Sequence, residues 1–256
     1  EKKRQGVIIE NQILSLSVNG YETENPEGQS ARELELSLYT ALAEQDILER
    51  FTARVRRTAH ADEVETHSFL LAFFSVIRDL READEDFLLV DVSGEVTEVS
   101  VARNGELRMS VSYPLGRNFL VRTLALECAI SFEEALSLLA THSREQGNDI
   151  LASRFRSAFA SLEEKWMKEF EESLSHIAGE AFLPHAIFVA ADKTIAPWVT
   201  RTIQNEALYQ YTLTAKPFVT NLADEKMLNA HVSFGPGVEK DPFLMIDAMF
   251  LNKIKN

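Results

Sequence analysis

The stretch FLLVDVSGEVTEVSVARNGEL, residues 87–107, decides the fold of this chain. Phe87–Val90 is an uninterrupted apolar run, the mark of a strand buried on both faces, and it ends at Asp91. A short polar turn with one glycine, Gly94, then gives way to the β-type run EVSVA, 98–102. Asn104-Gly105 is the pair that a two-residue type I′ hairpin demands, because both of its central residues need positive φ. LRMSVS, 107–112, follows at once. Three consecutive strands, 87–92, 97–103 and 106–113, are therefore predicted, the last two an antiparallel hairpin turning at Asn104-Gly105.

Upstream, residues 7–18 read as one or two strands and LELSLY, 34–39, as another, with a loop rich in Asn, Pro, Gly and Ser between them. The spacing of Leu48, Phe51 and Val55 predicts a helix over 44–59, laid on that sheet. VETHSF, 64–69, has extended character, and FLLAFFSVIRDL, 69–80, predicts a buried helix. Downstream, Ser131 with Glu134 has the spacing of a capping box opening a helix. Phe155, Phe159, Leu162, Trp166, Phe170, Leu174 and Ile177 recur every three or four residues, so a long amphipathic helix is expected, closed by Gly179. AIFVA, 186–190, reads as a buried strand, 194–207 as a helix, and Asp241-Pro242 as the start of a terminal helix. Residues 1–66 thus form a small α+β unit and residues 67–256 an α/β unit with a helical insertion over about 114–180.

Composition excludes several functions. The chain has 256 residues, 45% hydrophobic and 26% charged, with a net charge of −14. That charge repels nucleic acid and anionic membrane surfaces alike. The densest basic group, Arg54, Arg56 and Arg57, fits a solvated helix face. The single cysteine, Cys128, sits in an apolar run and reads as a buried thiol, with no intramolecular disulfide available to it. Apolar stretches are too short to span a bilayer, and no signal peptide is visible, so a cytoplasmic protein is expected. Histidines at 60, 67, 142, 176, 185 and 231 show no zinc-ligand spacing. Neither a Gly-x-Ser-x-Gly elbow nor a P-loop lysine occurs, so no catalytic residue and no metal ligand is nominated.

LLVDVSGEVTEVSVARNGEL followed by SVSYPLGRNFLVRTLA resembles the phosphate-contacting hairpin of the actin-like ATPase superfamily and the segment after it. The bacterial cell-division protein FtsA and the pilus-assembly protein PilM are the members it is most similar to. NGYETENPEGQSARELELSLY resembles the inserted subdomain of FtsA, and AIFVAADKTIAPWV sits where the family's strand enters an adenosine loop. The resemblance implies an actin-like (ribonuclease H-like) α/β lobe preceded by a small α+β subdomain. Asp91 then matches the carboxylate near a bound Mg²⁺, and Gly94, Thr97 and Glu98 match the phosphate turn. Ser93 stands where the family has its first glycine, Val96 where it has its first threonine. Ala191-Asp192 replaces the Gly-Gly of the adenosine loop, and leucines in the helix over 131–142 replace a ribose-contacting lysine. Val96 and Ala191-Asp192 are expected to fill or repel the nucleotide space.

Two functions follow from the resemblance. One is a scaffold with an eroded nucleotide site, recruiting protein partners or assembling into filaments in cell division or in envelope or pilus assembly. It would have no cofactor and no nucleic-acid partner, and would reach the envelope only peripherally through a partner. The other is an ATP- and Mg²⁺-dependent enzyme whose first phosphate loop precedes these residues. Residue 1 is glutamate, and the chain opens in mid-pattern, so a fragment is expected.

Overall fold

A computed structural model describes residues 6–23, 25–81, 85–144, 153–179, 181–205, 208–213, 216–238 and 240–254. The chain divides into two compact units, Glu1–Ala72 and Phe73–Asn256.

The first unit holds an antiparallel sheet of β1 (Gly6–Val18), β2 (Tyr21–Glu22) and β3 (Leu34–Glu44), in the order β2-β1-β3. Asn19 and Gly20 turn between the first two strands with φ of 55° and 82°. The Asn19 side chain ties down the following loop by accepting from the Arg32 N–H at 2.7 Å. Helix α1 (Gln45–Ala59) continues directly from β3 and ends at His60 in the left-handed region. It buries none of its side chains, so it does not cover a sheet as expected. Residues 64–68 also depart from the expected strand. The Ser68 N–H donates to the Glu10 carboxylate, and the Ser68 carbonyl accepts from Ala72 in the first turn of α2 (Phe69–Leu80). A side chain and a helix have taken the groups a strand would have used.

In the second unit, β4 (Phe87–Val92), β5 (Thr97–Arg103), β6 (Glu106–Tyr113), β7 (Ala186–Ala191) and β8 (Val219–Leu222) form one mixed sheet in the order β6-β5-β4-β7-β8. The three strands of the opening stretch form as the sequence predicts, with β6 at the edge of the sheet. Asn104 and Gly105 both have positive φ, 52° and 71°, the type I′ signature. β4 runs antiparallel to β5 and parallel to β7, and β7 parallel to β8.

One face of this sheet packs under α3 (Arg117–Cys128), α4 (Phe132–Arg144), α5 (Ser153–Ala178) and α6 (Ala196–Asn205). The capping box is present: Ser131 N–H donates to Glu134 Oε2 at 2.8 Å, and Glu134 N–H to Ser131 Oγ at 3.2 Å. The aromatic stripe of α5 is core: Trp166 stacks on Phe170 at 5.2 Å and meets Trp198 of α6 edge-on at 5.8 Å. Gly179 closes α5 with φ of 52°. A 3₁₀ turn (Tyr209–Tyr211) and a short helix α7 (Glu225–Leu228) flank β8. On the opposite face Phe87 of β4 stacks on Phe74 of α2 and meets Phe188 of β7 edge-on. The terminal helix α8 (Pro242–Ile254) lies against β7, its amides at Phe243 and Leu244 capped by Asp241 at 2.9 and 3.1 Å. Cys128, the single cysteine, is buried as expected. Among the described residues no helix is long and apolar enough to cross a membrane, and no cluster of His, Cys, Asp and Glu could hold a metal ion.

Candidate functional site

From β4 the chain moves to β5 on one side, and from β7 to β8 on the other. The C-terminal ends of these two parallel strands therefore flank a topological switch point, where open α/β sheets place their ligands. A cleft of about 280 Å³ lies there, lined by Val92, Ser93, Gly94, Arg117, Asp192, Asp241 and Phe243.

The turn 93–96 is built against the start of α3. Carbonyl oxygens of Ser93, Gly94 and Glu95 accept from the amides of Arg117 (2.9 Å), Asn118 (2.7 Å) and Gly116 (3.1 Å). These are the first amides of the helix, the groups that would otherwise give it an anion-binding terminus. The contact is so close that a Cβ on Gly116 would lie 2.5 Å from the Val96 nitrogen and 2.6 Å from the Ser93 oxygen. Only glycine fits. Inside the turn, Ser93 donates to the Val96 carbonyl from both its N–H and its Oγ, each at 3.0 Å. The Glu95 carboxylate adds a clamp from outside, accepting two bonds from Arg122 at 3.0 and 2.8 Å and one from Asn118 at 3.0 Å. Those bonds, Arg122's first, hold its pKa down at about 2.

The residues singled out from sequence separate into three groups. Ser93, Gly94 and Asp192 line the cleft. Thr97 and Ala191 point into the core, exposed by 0% and 2%. The Thr97 hydroxyl donates to the Leu115 carbonyl at 2.9 Å and accepts from the Trp166 indole at 3.4 Å. Asp91 and Glu98 sit opposite one another in the β4–β5 ladder. The Asp91 Oδ1 atom is buried and has no hydrogen-bond partner among the described residues. Burial, and then the charge of Glu98, push Asp91 up to about 7. Glu98 accepts from the Ser110 hydroxyl of β6.

Val96 does not fill the cleft; its side chain is exposed and lies outside the lining. Nor does Asp192 present a bare charge. It accepts from the Thr194 N–H at 2.8 Å and from Arg117 Nη1 at 3.2 Å. Burial raises its pKa, but the Thr194 bonds and the Arg117 charge outweigh burial and leave it below the usual carboxylate range. The Arg117–Asp192 pair thus joins the end of β7 to the start of α3 along the cleft wall. Sequence reasoning missed Arg117, Asn118 and Arg122, which meet their partners from 23 to 75 positions away. The one available signal was Gly116, a glycine placed directly before a helical period.

No protein-family model matches this sequence, and no curated protein matches it. Solved structures do. The PilM–PilN type IV pilus biogenesis complex matches with a TM-score of 0.61 at 14% identity, over 98% of this chain and 67% of that chain. MreB 5 of Spiroplasma citri bound to AMPPNP matches with a TM-score of 0.50 at 16% identity, over 81% of this chain and 65% of that one. The chain therefore spans about two thirds of the length of each of these proteins. At such identities the likeness establishes the fold, and the fold is actin-like.

Proposed function

We propose that this chain is an actin-fold scaffold, working through protein partners and self-assembly, whose turn at 93–96 serves structure and not nucleotide chemistry. The observation that carries the reading is the seating of that turn on α3. Three helix-terminal amides are satisfied by the turn's own carbonyls, and Arg117, the one cation among the described residues that line the cleft, is paired with Asp192. A polyphosphate needs amides and cations that are free to turn toward it. The residues present do not fit Mg²⁺-ATP by that test. The likeness to PilM, found in a complex with PilN, supports a place in envelope or pilus assembly; a role in cell division, as for FtsA, is the other setting of the same reading.

One observation favours an ATP-dependent enzyme instead. The orphaned Asp91 oxygen is the kind of buried carboxylate that a hydrated cation satisfies. Calorimetric titration of Mg²⁺-ATP into the chain decides between the two. The scaffold reading expects no heat of binding at 100 μM protein. Binding at low micromolar affinity, abolished by Asp91→Ala, would overturn it.

A further inference from the structure

The sheet of the first unit carries its amphipathicity reversed. Ladder pairs place Ile8 opposite Leu42, Ile13 opposite Leu38, Leu16 opposite Leu36 and Val18 opposite Leu34, all on one face. Ile8, Ile13, Leu34, Leu36, Leu38 and Leu42 on that face are 50–64% exposed, whereas Val18 at its end is buried. The opposite face holds the buried acid. Glu10, 7% exposed, meets His67 Nδ1 at 3.0 Å, the Ser68 N–H at 3.3 Å and Gln12 Nε2 at 3.2 Å. The polar face is therefore satisfied inside the unit, while the aliphatic face is the one turned outward.

We propose that two copies of this chain stack these aliphatic faces, sheet on sheet, as a two-fold dimer. The proposal rests on the scaffold reading for its purpose, but it concerns residues of the first unit, away from the nucleotide titration that tests that reading.

Three observations favour a second copy over any other occupant. The six side chains expose on the order of 600–700 Å² together, above the patch a typical monomer leaves open and close to the roughly 800 Å² per partner of a standard interface. With a net charge of −14, two copies repel over most of their surfaces. On the aliphatic face the ladder places only one acid, Glu44, at the margin where β3 ends, so this is where two acidic chains can approach. Apart from Glu44 at its margin the face is uncharged and offers nothing to select a charged partner, whereas a flat face of leucine and isoleucine is complementary to itself and stacks at the ~10 Å spacing of packed sheets.

The test is sedimentation equilibrium of the whole chain between 1 and 100 μM, in 0.15 M and 0.5 M salt. A dimer is expected, tightened by the higher salt, which screens the repulsion. Ile13→Glu should weaken it at least ~100-fold, since an unpaired carboxylate would enter an apolar interface. Ile13 sits opposite Leu38 within the aliphatic face, so its carboxylate would enter the proposed contact. Circular dichroism checks that the variant is folded; should it melt early, Leu38→Lys on β3, half exposed, takes its place. A chain that stays monomeric at 100 μM, or a dimer of unchanged affinity in both variants, would overturn the proposal.

Discussion

Asp91→Asn tests the site at its least comfortable atom. The wild-type carboxyl is pushed up to about 7 by burial and then by Glu98 across the ladder, and its Oδ1 has no hydrogen-bond partner among the described residues. A carboxyl whose folded pKa lies above its unfolded value of about 4 favours folding when protonated. Its contribution is complete below the unfolded pKa and is lost as pH rises through the folded one. Integrated between pH 5.5 and 8, that loss is about 2 kcal/mol, and about 4 kcal/mol bounds it over the whole range. Asparagine keeps the shape and removes the titration. Urea denaturation at the two pH values should therefore show the wild type losing about 2 kcal/mol more than Asp91→Asn, with the variant the more stable at pH 8. Mg²⁺ at 10 mM should change neither curve. Equal pH slopes in the two proteins, or a variant destabilised at pH 8, would refute the reasoning. Stabilisation of the wild type alone by Mg²⁺ would instead identify a cation as the missing partner.

Two further substitutions probe the turn's seat. Gly116→Ala should destabilise the fold by about 3 kcal/mol, the upper end of the overpacking range, because its Cβ would meet backbone atoms of the 93–96 turn that cannot move without parting the turn from α3; a denaturation midpoint within error of wild type would show the turn to be pliable. Thr97→Val should cost about 1–3 kcal/mol by leaving the Leu115 carbonyl and the Trp166 N–H unsatisfied in the core; a phosphate-binding threonine would show unchanged stability and altered nucleotide affinity.

Much of the fold was legible because its signals are local. The apolar run at 87–90, the Asn104-Gly105 pair and the Ser131/Glu134 box each specify conformation within a few residues, and each formed as read. The misreadings share a different cause. VETHSF alternates like a strand, yet nothing in the sequence shows that Glu10, 57 positions from His67, would claim that segment. Helix α1 has the period of an amphipathic element, but periodicity identifies an apolar stripe without saying what, if anything, covers it. At the site, Thr97 and Ala191 belong to a recognisable pattern, but strand alternation, not pattern, decides which side of the sheet they face. Thr97 pairs with Val92 and follows it into the core.

The turn at 93–96 is where the proposed scaffold reading departs from the sequence likeness. A short turn containing a glycine can present N–H groups to an anion on one side and carbonyls to the amides of a neighbouring helix on the other. It cannot free the same helix amides for both uses. Here the Ser93, Gly94 and Glu95 carbonyls have closed on α3, Gly116 permits an approach that any side chain would block, and Arg122 locks the tip through Glu95. Opening α3 to phosphate would break three backbone bonds, each worth about 1 kcal/mol net, before the anion made its first contact. The sheet places a cleft at the position expected of its fold, and on the scaffold reading proposed above the helix amides beside it serve the fold and not an anion.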